Sequence, residues 1–173
     1  MRKIALIIVI LFTSFSCSND EEILSADQSI TFNWDTAPIE DGLGVVTETI
    51  DGITVTVSAS SSVGHFRLSD TDGSIGNVVL SYHKETSITF SFNKPVMVTS
   101  ILAFAKPNLP IEFTFTPSDN NNPIVKQVLT RGENVSYATV ILNWTLVSSF
   151  TVSSSETLYG FDHLVVVDPS TLK

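Results

Sequence analysis

Cysteine is nearly missing from this chain, since Cys17 is the single cysteine among 173 residues. The part that follows position 17 must therefore fold without disulfide bonds, and it has no cysteine nucleophile. A chain of this length corresponds to one domain, because domains run to about 100–200 residues. A domain of that size buries enough apolar surface to be stable without cross-links.

Positive charge is also scarce: Lys and Arg number 9 against 18 Asp and Glu, giving a formal net charge of −9. Two of these cations, Arg2 and Lys3, stand at the N-terminus, so the remainder has 9 − 2 = 7 basic and 18 acidic residues, a formal charge of −11. Nucleic acids and anionic lipid surfaces are bound through clustered Lys and Arg. The composition argues against nucleic-acid partners and is compatible with neutral glycans or divalent cations.

The motifs of common enzymes are absent from the sequence. It has no Gly-x-Ser-x-Gly, no His-x-x-x-His and no phosphate-binding glycine loop, and it contains three histidines. One catalytic alternative remains, a jelly-roll polysaccharide lyase, which needs a base and a cation near the substrate carboxylate. Its candidate residues are His65, Arg67, Tyr82 and His83. We expect instead that these residues lie on a solvent face and that the protein is not an enzyme.

Helical periodicity is missing too, and apolar residues alternate with polar ones along most of the chain after Ile30. In the runs 53–58, 88–93 and 111–116, every second residue is Ile, Val or Phe. Successive side chains of a strand point to opposite faces, so each run offers one apolar face. Asp51-Gly52 between two such runs predicts a hairpin with a type I′ turn. The pattern predicts an all-β domain with about ten to twelve short strands.

The predicted architecture is an antiparallel two-sheet β-sandwich over residues 29–168, followed by a C-terminal tail over 169–173. A jelly-roll type is favoured over an immunoglobulin type, because an immunoglobulin domain of about 100 residues would leave too much of the chain unplaced.

The N-terminus has the layout of a secretory signal peptide: a basic start, an apolar run over 4–12 and a small-residue exit. The apolar run is shorter than the roughly 20 residues that a membrane-spanning helix needs. Ser14-Phe15-Ser16-Cys17 resembles the lipobox of bacterial lipoproteins, with Ser14 where Leu is usual. The resemblance implies a lipoprotein signal peptide over 1–16, lipidation at Cys17, and a lipid anchor and acidic tether over 17–28. Cleavage by an ordinary signal peptidase is the alternative.

Residues 18–22 read Ser-Asn-Asp-Glu-Glu, directly after Cys17. This acidic run resembles the export signal of Bacteroidetes-type surface lipoproteins, which implies a cell-envelope protein on the outer face of the outer membrane. A solvated tether is the simpler interpretation, since charge runs usually face water, and a periplasmic orientation stays open. Asp35-Thr36-Ala37 matches the short pattern at which Bacteroidetes glycosylate exported proteins, so Thr36 is a candidate glycosylation site.

Two further segments carry a family resemblance. Trp144 and Phe150-Thr151-Val152 precede the run Tyr-Gly-Phe-Asp-His-Leu-Val-Val over 159–166, and residues 88–96 read Ile-Thr-Phe-Ser-Phe-Asn-Lys-Pro-Val. Both resemble the galactose-binding-like, carbohydrate-binding-module β-sandwich domains of exported bacterial proteins. The resemblance covers most of 30–167 and implies the sandwich fold and glycan binding. His163 stands where those domains have Asn, so no role of that Asn carries over.

The same resemblance implies a structural calcium ion between the first and last strands, near Asp162. Asp35, Glu40 or Asp41 would supply further oxygen ligands, because calcium takes about six to eight of them. The alternative is that Asp162 caps a turn and that the early acidic residues face water.

A glycan site needs an exposed aromatic side chain beside polar groups, since sugar faces are apolar and sugar edges carry hydroxyls. The candidate aromatic residues are Tyr82, Tyr137 and Tyr159. The candidate hydrogen-bonding residues are Asn143, Arg67 and Asp70. Trp34 and Trp144 are expected in the core, with their indole N–H groups bonded to the backbone.

Two functional hypotheses follow besides the lyase. The first is a non-catalytic surface lipoprotein module that binds glycan or another extracellular ligand, and it predicts an exposed aromatic residue with polar neighbours. The alternative is a structural, assembly or adhesin-type protein whose partner is a cell-surface protein, and it predicts an apolar patch or an open strand edge.

Overall fold

The computed structural model describes residues 28–37, 45–59, 63–68, 76–81, 87–105, 110–130, 136–155 and 159–172, with backbone alone for 63–68. The predictions for the signal peptide and for Cys17, Glu40, Asp41, Asp70 and Tyr82 lie outside these residues, as does the side chain of Arg67. Within the described part of the chain, no helix is long and apolar enough to span a membrane.

The described residues form β-strands and one short 3-10 helix at Pro169–Thr171, which confirms the all-β prediction. The strands are β1 (Ser29–Phe32), β2 (Val45–Ile50), β3 (Ile53–Ala59), β4 (Val63–Leu68), β5 (Gly76–Ser81), β6 (Ile88–Ala105), β7 (Ile111–Pro117), β8 (Val125–Leu129), β9 (Ser136–Ser154) and β10 (Tyr159–Val167). Along β3 and β7 every second side chain is buried, as the alternating sequence predicts.

The predicted hairpin is also confirmed. Ile50 pairs with Ile53 across a two-residue turn between β2 and β3. Asp51 has φ 49° and Gly52 has φ 75°, and positive φ at both central residues is what a type I′ turn requires.

All strand pairs among the described residues are antiparallel and join into one sheet. Its main order is β4-β5-β10-β6-β9-β7-β8, with β1 paired to β10, and β2 joined through β3 to β6. Consecutive strands pair in β2–β3, β4–β5 and β7–β8, whereas the other six described pairs join strands that are not consecutive in the chain, so the sheet depends on long-range pairing as well as on hairpins.

The two long strands β6 and β9 hold this sheet together. Ser100 of β6 pairs with Ile141 of β9, whereas Phe90 pairs with Phe150 on the far side of several register shifts. At those shifts β9 places Asn143 at φ 51° and Leu146 at φ 54°. A register shift of this kind marks a β-bulge, in which an extra residue bends the strand and increases its twist. Each half of β9 therefore joins a different region of the sheet.

The core lies between those two regions. The ring of Phe161 on β10 makes edge contacts with the rings of Phe90 on β6 and of Phe113 and Phe115 on β7. The distances between ring centroids are 5.7, 5.7 and 6.0 Å. Strand β7 is not a neighbour of β10 in the sheet. The sheet therefore folds back so that strands distant in its order share one aromatic core.

Candidate functional site

The N-terminal half of β9, residues 136–147, presents a row of exposed side chains. Tyr137, Thr139, Ile141 and Asn143 are exposed, while Val140 and Leu142 between them are buried. Tyr137 is 55% exposed and Ile141 is 56% exposed, high fractions for an aromatic and an aliphatic side chain. We call these four exposed residues the β9 face.

Strand β6 lies beside the β9 face, but its residues on that side are less exposed, with Phe104 and Ser100 buried. Phe104, Leu102 and Ser100 stand opposite Tyr137, Thr139 and Ile141 in the antiparallel register. Residues that are directly opposite in such a pair project from the same side of the sheet. The β9 face therefore borders a row of two apolar residues and one serine.

A glycine makes room for the ring that underlies this surface. Gly160 of β10 stands opposite Phe104. A Cβ atom at Gly160 would lie 2.3 Å from Cζ of Phe104 and 2.7 Å from the carbonyl oxygen of Val79. Only glycine lets the Phe104 ring lie across β10 at this point, because either distance is below van der Waals contact.

The chemistry of the β9 face is uncharged. It combines one phenol ring, one aliphatic side chain, one hydroxyl and one amide, and the three opposing β6 residues carry no charge either. Pockets and surfaces for neutral ligands have this composition, mostly apolar with a few polar groups that fix orientation. The sequence prediction identified Tyr137 and Asn143 of this set and missed Thr139 and Ile141. The alternation in residues 136–143 carried the signal, but it does not tell which side of the strand faces water.

Tyr159 corrects the sequence prediction of a third aromatic platform. Its side chain has no exposed surface, and its ring makes an edge contact with Phe113 at 5.6 Å. Burial raises the pKa of Tyr159, and a hydrogen bond with Ser81 acts in the opposite direction. A ligand cannot stack on this ring, which instead forms part of the core.

Both tryptophans lie in the core as expected, but Nε1 of Trp34 is buried and has no hydrogen-bond partner among the described residues, against the prediction of a backbone bond. Trp34 and Trp144 are both fully buried. Nε1 of Trp144 donates to the carbonyl oxygen of Pro123 at 2.9 Å, the kind of backbone bond that a buried indole needs. Trp34 has φ 59°, which places a turn directly after β1.

Polar groups surround that turn. Asp35 accepts hydrogen bonds from the backbone N–H of Asn77 and from Nδ2 of Asn33, both at 2.9 Å. Glu48, which no sequence motif marks, is buried and accepts hydrogen bonds from the Trp34 N–H at 3.1 Å and the Thr36 hydroxyl at 2.6 Å. The candidate glycosylation site Thr36 thus has its hydroxyl bonded to a buried carboxylate.

Asp162 lies fully buried on β10 and is paired with its neighbour. It accepts the backbone N–H of His163 at 2.7 Å, and its other oxygen lies 2.8 Å from Nδ1 of His163. His163 has φ 45° at a register shift of β10, which turns its ring back onto the carboxylate. This arrangement fits the alternative in which Asp162 stabilises a local bend.

The described residues alone do not supply a calcium site. No group of three or more His, Cys, Asp or Glu side chains suited to a metal occurs within them. Asp162 and Asp35 both accept protein N–H groups, so their oxygens already have partners. The calcium prediction now depends on Glu40 and Asp41, which are not among the described residues.

Strand β4 carries His65 and Arg67, opposite Val79 and Asn77 of β5. Their side chains and His83 are outside the described atoms, so the lyase alternative stays a prediction without structural support.

No protein-family model and no curated protein matches the chain. Among solved structures, it is similar to TmCBM61 in complex with β-1,4-galactotriose, with 15% identity and a TM-score of 0.40, over 66% of this chain and 88% of that chain. A carbohydrate binding module of family 29 is similar at 11% identity and a TM-score of 0.35, over 84% of this chain and 96% of that chain.

The enzymatically active domain of tailspike protein 4 from bacteriophage CBA120 is also similar, at 11% identity and a TM-score of 0.39. That match covers 70% of this chain and 20% of the tailspike chain. Likenesses at this level carry no argument about function, which must come from the side chains themselves.

Proposed function

We propose that the protein is a non-catalytic binding module that holds an uncharged glycan along the β9 face, on a two-sheet sandwich of jelly-roll type. The observation that carries the proposal is Tyr137, an aromatic side chain that is 55% exposed although its backbone is paired with Phe104 near the start of β9. Leaving such a ring in water forgoes the free energy that its burial would supply. A ligand that covers the ring recovers that free energy.

The polar members of the β9 face suit a saccharide. Thr139 provides a hydroxyl that donates and accepts, and Asn143 provides an amide with both capacities. Sugar hydroxyls need both kinds of partner, and the apolar face of a sugar ring can cover Tyr137 or Ile141. Because alternate residues of a strand repeat at about 6.5–7 Å, the row suits an extended oligosaccharide better than a single ring.

The absence of charge favours a neutral ligand. No Asp, Glu, Lys or Arg occurs in residues 134–155, which include the whole of β9. A uronic-acid or sulfated polymer would require cations to offset its charge, and the β9 face has none. Neutral polysaccharide is therefore the class we propose.

The cellular location of the protein is part of the same proposal. A lipid on Cys17 and the acidic tether of residues 18–22 would hold the module at the outer membrane, facing outward, where extracellular glycans are met. Calcium that joins Asp35 and Asp162 to Glu40 or Asp41 stays a separate prediction of the family resemblance.

A glycan array tests the proposal, with the purified chain applied once with calcium and once with a chelator. We expect hits among neutral oligosaccharides and none among uronic-acid polymers. Loss of the hits on chelation would support the calcium ion, and hits indifferent to chelation would discard it. A blank array in both conditions would overturn the glycan proposal, and cleavage of a uronic-acid polymer would move the assignment to the lyase.

A further inference from the structure

The N-terminal half of β9 has a strand neighbour on one side alone, as far as the described residues show. β6 pairs with residues 136–147 from one side. On the other side, β7 begins to pair only at Phe150, which stands opposite Pro117. The side-chain amide of Asn122 covers the backbone of Thr145, with bonds of 2.8 and 2.9 Å. Among the described residues, no backbone pairs with the second edge of β9 from Tyr137 to Asn143, the edge that faces away from β6.

This edge carries neither a charge nor a proline from Tyr137 to Asn143. Exposed edges usually carry charges or proline, which prevent another strand from pairing with them. The edge strand β8, for example, carries the exposed Lys126, ion-paired to Glu112 at 2.9 Å. Residues 134–155 contain neither a charge nor a proline.

The unprotected segment is complementary to itself. If two copies of β9 meet antiparallel with Thr139 opposite Thr139, then Tyr137 of each copy stands opposite Ile141 of the other. Aromatic against β-branched and threonine against threonine are both favourable cross-strand pairs. The exposed residues Tyr137, Thr139 and Ile141 thus match their own reversed order.

The net charge of the protein also favours a second copy of this chain as the partner of this edge. Each copy has a formal net charge of −9, so two copies repel each other wherever charged surfaces meet. An uncharged edge is where the contact adds no like-charge pair. We propose that β9 is a self-association edge, where a second copy of this chain adds its own β9 in antiparallel register centred on Thr139.

Pairing of the edges leaves the side chains of the β9 face outward. Two copies would place their rows of exposed residues side by side on one continuous sheet surface. The association stands independently of the proposed glycan ligand, and a glycan that spans both rows would bind with the advantage of two linked sites.

Sedimentation velocity on the full chain tests the inference, with Thr139→Lys as the main variant and Val128→Lys as the matched control on β8. We expect a dimer for the unchanged chain and for Val128→Lys. For Thr139→Lys, two like charges would face each other and raise the dimer dissociation constant at least about tenfold. Circular dichroism and urea unfolding check that each variant folds.

A charge exchange makes the test specific. Thr139→Glu should also be monomeric, and an equimolar mixture of Thr139→Lys and Thr139→Glu should restore the dimer, because opposite charges then meet at position 139. A monomeric unchanged chain, or a Thr139→Lys variant that dimerises as well as Val128→Lys, would overturn the inference. Either result would leave the outcome of the glycan array untouched.

Discussion

The two halves of β9 belong to one continuous strand and have opposite surroundings. The C-terminal half lies between β6 and β7, and its Phe150 is 1% exposed and stacked on Phe90 at 4.7 Å. The N-terminal half is paired to β6 alone among the described strands, and Tyr137 and Ile141 are more than half exposed. Similar apolar residues therefore stabilise the fold in one half and remain available in the other.

The difference teaches that composition does not separate core from exposed surface in this protein. Both halves are uncharged, and each contains aromatic residues, valine and threonine. What separates them is the number of neighbouring strands and the bend at Asn143 and Leu146, where φ is positive. The following changes test that separation, from the largest expected effect to the smallest.

Phe150→Ala should destabilise the fold by about 3–5 kcal/mol, the usual cost of removing a buried phenylalanine ring. Ile141→Ala is the matched control in the other half and should change the free energy of unfolding by no more than about 0.5 kcal/mol, because its side chain is exposed. Urea unfolding followed by circular dichroism measures both. Equal destabilisation by the two changes would break the comparison.

Gly160→Ala should cost about 1–3 kcal/mol, since the added methyl meets the Phe104 ring and the Val79 carbonyl. The shift of Phe104 should also weaken glycan binding, because that ring stands opposite Tyr137. Unfolding and binding are measured on the same preparation. Gly52→Ala controls for added volume, because nothing lies within 4 Å of its Cβ position, although its φ of 75° adds strain of its own.

Leu146→Asn should stabilise the protein by about 0.5–1 kcal/mol, because Asn tolerates the left-handed φ of 54° better than Leu does. The reciprocal change Asn143→Leu should destabilise it by about the same amount. Thermal unfolding compares the two variants. If both changes shift the midpoint in one direction, the bend is not held by these backbone conformations.

The smallest effect concerns a contact remote from the β9 face. Hydrogen bonds from Lys94, at 2.5 Å, and from Ser170 hold the pKa of Asp168 at about 2, below its ordinary value of 3.8. Because the folded pKa is the lower one, this contribution is complete above pH 3.8 and is lost as the pH falls towards 2. Lys94→Met should lower the unfolding midpoint above pH 3.8, and the gap to the unchanged chain should close towards pH 2. A gap that widens on acidification would contradict the assignment.

Much of the fold was predictable from local sequence, and the reason is visible in particular strands. β3 and β7 have one buried face each, so their alternation predicted them, and Asp51-Gly52 predicted the hairpin. β10 is buried on both faces, so alternation carried no information there. The platform prediction for Tyr159 was wrong for that reason.

The site was less predictable because it depends on long-range pairing. Tyr137 and Asn143 were selected from residue type, but the exposure of Ile141 follows from its place at the edge of a pairing with β6, distant in sequence. The positive φ of Leu146 and His163 had no sequence signal, since neither residue type favours that conformation strongly enough to predict it. The buried Glu48 bridges Trp34 and Thr36 across a loop, which local patterns do not show.

The central claim is that the N-terminal half of β9 binds a neutral glycan through Tyr137. Isothermal titration calorimetry with a neutral oligosaccharide selected on the array tests it on the unchanged chain, Tyr137→Ala and Val128→Ala. We expect Tyr137→Ala to weaken binding at least about tenfold, equivalent to about 1.4 kcal/mol, and Val128→Ala to bind as the unchanged chain does. Undiminished binding by a folded Tyr137→Ala variant would contradict the account.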